Sequence, residues 1–376
     1  MSCSSNLPQN NCCPEVGSKA ASNTLSAARE DLPPSVIDEV MTPAGSVPRV
    51  STEMSSGDRL GIWKVRWGIG RMSYTVAPGL YAVGDPDPES EVLVTANYRL
   101  TFDLLRRCIH DMSIWVLVLD TRGVNVWCAA GKGTFGTDEM VERVESSNLG
   151  TVVSHRRLIV PQLGAPGIAA HEVRERTGFK VFYGPVEMRD IPAYLENGRR
   201  ATSAMRRKEF SLAERAILTP MELVPASKWV VIITILFALL AGILGGGSFF
   251  SDAVSYGIRS FALLVLGTLV GTVLTPILLP WVPGRAFALK GAITGIAAAL
   301  VLMASGYLSG LDGIAWLLIV TAVSSFLAMN FTGSSTYTSL SGVKKEMKIA
   351  FPAQIGASVV AIVLWISALL SSGGMA

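Results

Sequence analysis

The hydrophobic positions of this chain keep two different rhythms, and the change falls near residue 228. Before it, apolar runs of strand length alternate with stretches in which apolar residues recur at spacings of three and four. Val92-Leu93-Val94-Thr95 and Ile114-Trp115-Val116-Leu117-Val118-Leu119 are unbroken runs bounded by turn-forming residues, the pattern of strands covered on both faces. Shorter runs at 151–153, 158–160 and 180–183 predict further strands, and Trp63-Lys64-Val65-Arg66-Trp67 alternates as an edge strand would. Helical spacing marks 100–108 and 168–177. Another helix follows Thr137, which is placed to cap it, with Asp138 and Glu139 complementing its dipole and Met140, Val141 and Val144 on one side. Strands alternating with helices across Gly/Pro loops predict an α/β domain with a parallel, Rossmann-like sheet over about 58–198.

Beyond residue 228 the rhythm becomes long and uniformly apolar. Five segments, at about 229–250, 258–279, 286–308, 313–329 and 349–370, are each near the roughly 20 residues that a spanning helix requires. They predict an all-α transmembrane domain over 229–376, joined to the α/β domain by a basic linker at 199–228. Lys and Arg precede the first segment, flank the third at Arg285 and Lys290, and precede the fifth at Lys344, Lys345 and Lys348. The opposite loops carry Asp252 and Asp312, with Arg259 the one dissenting charge, so the α/β domain is expected in the cytoplasm and the carboxyl terminus outside. Small residues such as Gly291, Gly295, Ala298 and Ala299 suit close helix packing. Anchoring is the expected role, because the segments hold no acidic relay of the kind an ion pathway needs.

Residues 1–57 are rich in Ser, Asn, Pro and Gly and poor in aromatics, which predicts a mobile arm. A net charge of +3 over 376 residues, with no basic stripe interleaved with aromatics, points away from nucleic acid. The five cysteines, Cys3, Cys12, Cys13, Cys108 and Cys128, are odd in number and show no repeated CxxC spacing, which argues against a disulfide framework and against an iron–sulfur cluster held by this chain. The vicinal pair Cys12-Cys13 can bind a soft metal ion, though such pairs in polar tails are more often incidental. With no signal-peptide pattern at the start, the thiols are expected in a reducing cytoplasm.

The chemistry concentrates in Asn125-Val126-Trp127-Cys128-Ala129-Ala130-Gly131-Lys132-Gly133-Thr134-Phe135-Gly136-Thr137. This stretch follows the 114–119 run, and ligands of open α/β sheets sit beyond the carboxyl ends of their strands. A helix amino terminus and the nearby Lys132 would favour the Cys128 thiolate. Gly131-Lys132-Gly133-Thr134-Phe135-Gly136 matches GxGxxG literally, but the region after Val152-Val153 offers Ser154, His155, Arg156 and Arg157 where a dinucleotide site wants an acidic residue. His110, His155 and His171 have no metal-ligand spacing and read as structural or surface residues. Cys108, inside a helical pattern, reads as a small buried hydrophobe.

Thr95-Ala96-Asn97-Tyr98, Val116-Leu117-Val118-Leu119-Asp120-Thr121, the 125–137 stretch and Phe179-Lys180-Val181-Phe182-Tyr183-Gly184-Pro185 resemble the corrinoid-binding domain of the corrinoid iron–sulfur proteins of the acetyl-CoA pathway, over about 63–195. The large subunits of that family carry a cluster domain and no membrane helices. This chain has the reverse, and so is similar to the membrane-bound mercury-methylating corrinoid proteins, whose mark is the Asn-Val-Trp-Cys-Ala-Ala-Gly-Lys motif found at 125–132.

The resemblance implies a cobalamin-type corrinoid with its lower base displaced, lying over the carboxyl ends of the strands with Cys128 as axial ligand to cobalt. It implies that Asn125 and Trp127 fix a cap helix, that Ala129, Ala130 and Gly131 give the backbone close approach to the ring, and that Lys132, Gly133 and Thr134 belong to the same cap. Thr95, Asn97, Gln162, Gly164, Ala165, Gly167, Tyr183, Gly184 and Pro185 are then expected loop contacts. The implied activity is methyl transfer from cobalt to Hg(II), forming methylmercury, in the cytoplasmic membrane of an anaerobic prokaryote. The implied partners are an upstream methyl donor and a small ferredoxin-like protein with two 4Fe–4S clusters that returns electrons and delivers Hg(II). Two other readings stay open: a membrane-anchored corrinoid carrier or sensor that passes methyl groups within one-carbon metabolism, which the resemblance also allows, and a nucleotide-regulated transporter.

Overall fold

The computed structural model describes residues 32–331 and 340–373. Contacts divide the chain into two compact units, one reaching to residue 59 and resuming over 72–206, the other of 60–71 with the chain from 207 onward. Residues 1–31, with Cys3, Cys12 and Cys13, lie outside the described residues.

The expectation of an arm running to residue 57 is corrected by β1 (Val36–Thr42) and β2 (Gly45–Val50), an antiparallel hairpin on the edge of the main sheet. Its turn is held by the Thr42 hydroxyl, which donates to the Gly45 carbonyl at 2.7 Å. Each face of this edge hairpin adds one fully buried apolar residue, Val47 to the core on one side of the sheet and Val50 to the core on the other, so few apolar residues are needed and the composition looks like a tail. A second correction falls at 63–67, which is helical within α1 (Ser56–Arg66). Ser55 and Asp58 cap it reciprocally: the Asp58 amide donates to the Ser55 hydroxyl at 3.1 Å, and the Ser55 amide to the Asp58 carboxylate at 3.0 Å. That start signal, three residues apart, outweighs a five-residue alternation compatible with either period.

The remaining strands are β3 (Gly79–Val83), β4 (Val92–Ala96), β5 (Ile114–Leu119), β6 (Arg157–Val160) and β7 (Lys180–Tyr183), in the sheet order β1-β2-β3-β5-β4-β6-β7. β4 to β7 are mutually parallel, as the alternation predicts, but β3 runs antiparallel to β5, so the sheet is mixed. The connection 84–91 is shorter than the dozen or so residues that a parallel crossover needs, and it can only return the chain in the opposite direction.

Successive strand residues feed two cores. Val92, Val94, Ala96, Trp115, Leu117 and Leu119 pack on one face with α3 (Val126–Lys132), α4 (Thr137–Ser146), α5 (Leu149–Val152) and α6 (Ala170–Thr177). Leu93, Ile114, Val116 and Val118 pack on the other with α2 (Arg99–Cys108) and α7 (Ile191–Glu196). The strand expected at 151–153 is instead the end of α5, because Asn148 adopts a left-handed conformation that stops one helix and restarts a turn. Thr137 does not cap α4; Gly136 holds that position, and the Thr137 hydroxyl accepts from the Ala169 amide at 2.9 Å.

A charged cluster is sealed beneath α1 and α2. Arg106, 1% exposed, binds Asp103 at 2.9 Å and Asp58 at 2.8 Å, and donates to the carbonyls of Ser51 and Glu53. Arg99 adds a second bond to Asp58 at 2.9 Å.

The membrane unit opens with α8 (Leu212–Leu218), so the expected linker at 199–228 is partly helical, started by a capping box between Ser211 and Glu214. Five helices are long and apolar enough to cross a membrane, over Leu212–Leu244, Phe249–Leu278, Phe287–Ala304, Gly310–Asn330 and Gly342–Ser371. The first continues α8 into α9 (Pro220–Leu244). In the second, a π-helical turn at Val270–Leu274 lies in the turn before Pro276, which cannot donate a backbone hydrogen bond to it, and the helix ends at Leu278, shortly before Pro280. Gly291 lets the third and fourth approach closely: a Cβ there would lie 2.5 Å from that of Ala328.

Candidate functional site

The carboxyl ends of β4, β5, β6 and β7 release four loops, and internal bonds tie these loops to one another. Asn97, just past β4, is 5% exposed and spends its whole amide on the loop after β5. Its oxygen accepts from the Thr121 amide at 3.0 Å, the Thr121 hydroxyl at 2.8 Å and the Gly123 amide at 3.0 Å, while its nitrogen donates to Asp120 at 3.0 Å. Asn97 therefore organises the loop that leads to Cys128. Replacing it by Ala would bury the Thr121 and Gly123 amides without acceptors, while the Thr121 hydroxyl keeps the Val124 carbonyl at 2.6 Å. The change is expected to lower stability by about 2–4 kcal/mol in denaturant titrations of the full chain.

That loop ends at Asn125, whose extended backbone and side chain cap α3; its Oδ1 accepts from the Cys128 amide at 2.9 Å. Helical spacing then sorts the motif. Val126, Ala129 and Ala130 are buried against the sheet, whereas Trp127 and Cys128 are half-buried and Gly131 and Lys132 are exposed. The outward face thus carries the thiol, with Gly131 and Lys132 three and four residues on, and Gly131 leaves the surface beside sulfur without a side chain. Ala129 and Ala130 do not lie on that face; their small size serves the packing of α3.

The helix stops at Gly133, in a left-handed conformation with φ of 80°, and Thr134 and Phe135 donate their amides back to the Ala129 carbonyl. GxGxxG therefore spans the end of one helix and the start of the next, with its first glycine inside α3. It is not a strand-to-helix phosphate turn. Phe135, 0% exposed, is driven into the 3-10 turn Gln162–Gly167 that follows β6. A Cβ on Gly164 would sit 2.5 Å from the Phe135 ring, and one on Gly167 would sit 2.0 Å from the Phe135 carbonyl oxygen. Both glycines, read from sequence as ligand contacts, let the turn brace the Cys128 helix. Sequence reasoning passed over Phe135 and Thr121; the signal was an apolar residue set between glycines, and a hydroxyl residue inside the Asp-Thr-Arg-Gly turn.

The other expected contacts are distributed unevenly. Thr95 is buried, on the sheet face away from α3, and its hydroxyl has no hydrogen-bond partner. The Tyr183 hydroxyl donates to the Ile168 carbonyl at 2.9 Å, and burial raises its pKa. Gln162 accepts from Arg206 at 2.6 Å, and its amide reaches the Pro185 carbonyl at 3.4 Å. Gly184 is buried against Ile159, and Ala165 is half-buried in the turn.

No group of three or more His, Cys, Asp or Glu that could hold a metal ion occurs among the described residues. His155 is occupied by the Ser90 carbonyl and the Arg157 amide. Burial pushes the Cys108 thiol up, which disfavours its thiolate, while Cys128 is half-buried on the helix face that also carries the exposed Gly131 and Lys132. One soft donor cannot hold a bare metal ion, but it fits a metal that brings its four equatorial ligands in a macrocycle and needs a single axial one. The residues present fit a corrinoid in this sense.

Comparison with known proteins points to the same region. A family profile described as CO dehydrogenase/acetyl-CoA synthase delta subunit matches residues 70–195. The acetyl-CoA decarbonylase/synthase complex subunit gamma of Methanopyrus kandleri is 35% identical over 123 residues, 32% of this chain and 26% of that protein. The corresponding subunit of Archaeoglobus fulgidus is 34% identical over 128 residues, 34% of this chain and 27% of its own length. The chain thus spans about a quarter of the length of the relatives it matches, and the similarity covers the size of the α/β domain alone.

Proposed function

We propose that the chain is a membrane-anchored corrinoid protein that moves a methyl group from cobalt to Hg(II), with Cys128 as the axial ligand. The observation that carries this reading is the Asn125-capped helix, which presents one half-buried thiol at the carboxyl ends of parallel strands, in a region similar to acetyl-CoA decarbonylase/synthase subunits. Gly131 and Lys132 flank the sulfur, Asn97 and Phe135 hold the helix from below, and the Gln162–Gly167 turn closes one side. When bound, a corrinoid would supply the methyl group to be transferred, and Cys128 would hold it through a soft, strongly donating sulfur, which suits transfer to a soft electrophile such as Hg(II). The mercury acceptor rests on the likeness of the 125–132 motif to the membrane-bound mercury-methylating proteins. The same reading needs electrons from outside the chain, and a small two-cluster ferredoxin is the proposed partner. The spanning helices anchor the domain on the cytoplasmic side.

The names of the relatives favour a second reading, a methyl carrier in one-carbon metabolism. The full chain loaded with corrinoid distinguishes them: methyl transfer to Hg(II) is expected to exceed transfer to a pterin or a thiol, and the reverse order would select the carrier. Cys128→Ala is expected to lose the thiolate-to-cobalt band in the ultraviolet–visible spectrum together with methyl transfer, with its unfolding transition unchanged. An identical spectrum and full activity in that variant would refute the ligand. Cobalt in the purified protein, and no nucleotide binding, is the outcome expected against a nucleotide-regulated transporter.

A further inference from the structure

The inner side of α1 is accounted for by the fold. Asp58 is buried in the charged cluster, and Val65 is 2% exposed. The outer side is not: Leu60, Trp63, Lys64 and Trp67 recur at i, i+3, i+4 and i+7 and therefore share one face. Leu60 and Trp63 are each 52% exposed, and Ile69 and Met72, just beyond the helix, are 51% and 71% exposed. Trp63 and Trp67 stack with ring centroids 5.3 Å apart. From Arg59 to Met72 the sequence holds Arg59, Lys64, Arg66 and Arg71 and no acidic residue.

We propose that residues 59–72 form an interfacial anchor, lying in the headgroup layer of an anionic bilayer with Leu60, Trp63 and Ile69 at the acyl-chain boundary. Aromatic and aliphatic side chains rimmed only by cations suit that environment, where the rings sit at headgroup level and the ammonium and guanidinium groups meet lipid phosphates. A soluble protein partner would leave the uniform positive sign of this rim unexplained. The place in the chain agrees: residues 60–71 cluster with the membrane unit, and the Arg71 guanidinium lies 3.1 Å from the Met221 sulfur, at the start of the first spanning helix. The inference rests on the reading that the long apolar helices span a membrane.

The test uses the full chain in nanodiscs of phosphatidylcholine and phosphatidylglycerol, with ordinary acyl chains or with chains brominated near the headgroup. Bromine quenches only tryptophans within contact range, and subtracting the spectrum of Trp63→Phe isolates the Trp63 contribution. That contribution is expected to be roughly halved by the brominated lipid. The contribution of Trp229, exposed on α9, is isolated in the same way with Trp229→Phe and reports insertion of the spanning helices. Quenching of Trp229 with none of Trp63 would overturn the anchor while leaving the membrane reading intact.

Discussion

Arg106→Met is expected to lower the unfolding free energy of the α/β unit by about 3–5 kcal/mol, the usual cost of removing one partner from a buried ionic network. Arg106 is the pivot of that network: its guanidinium meets Asp103, Asp58 and the carbonyls of Ser51 and Glu53, and it is 1% exposed. Methionine fills similar space but leaves two carboxylates facing Arg99 alone. The two are already pushed in opposite directions. Burial raises Asp103 despite Arg106, while for Asp58 burial is outweighed by the bonds from Ser55 and Arg106, which lower it. Burial and the adjacent Asp103 also push Tyr74 up to about 12.

Removing Arg106 should raise both carboxylates in the folded state. A raised acid is stabilised by protonation, so its contribution to stability is lost as pH rises through the folded pKa and regained as pH falls. The gap between variant and wild type is therefore expected to narrow as pH is lowered from neutral toward the ordinary carboxylate range. Denaturant titrations at several pH values check this, and a gap that widens in acid would contradict the assignment.

These effects indicate which parts of the molecule could be read from its sequence. The unbroken runs at β4 and β5 announced strands buried on both faces, and the structure places all eleven of their residues inside. The five long apolar segments needed only a count of residues, because a bilayer requires about 20 apolar residues of any helix that crosses it. The hairpin of β1 and β2 escaped because an edge ribbon that fully buries one apolar residue on each face requires little apolar surface. α1 escaped because five residues fit both periods and the deciding signal was a cap upstream. Around Cys128, the short cap helix that the resemblance implies is present, with Asn125 at its start, and such a helix is a local feature of the chain. What each neighbour does was not legible. Asn97, Gly164 and Gly167 looked like ligand contacts, yet their partners are Thr121, Gly123 and Phe135, residues brought to them by the meeting of separate loops.

The glycines of that meeting should differ sharply when given a methyl group. Gly167→Ala places a Cβ 2.0 Å from the Phe135 carbonyl oxygen, in the turn that ends α3, and 3.2 Å from the Ala130 Cα within α3, both backbone atoms. Gly164→Ala overlaps the Phe135 ring at 2.5 Å and approaches Val126 at 3.2 Å, in both cases side-chain and not backbone atoms. Gly133→Ala meets nothing within 4 Å and suffers only the strain of its left-handed backbone. The expected losses of stability therefore fall in the order Gly167, Gly164, Gly133, at about 3, 2 and 1 kcal/mol respectively.

Gly167→Ala should also separate the turn from α3 and displace the helix that carries Cys128. On the proposed function it then loses bound corrinoid, whereas Gly133→Ala keeps it. Denaturation midpoints give the first ranking and cobalt content after purification gives the second. Equal losses at all three positions would mean that the turn does not brace the thiol, because the 2.0 Å approach at Gly167 would then carry no special weight.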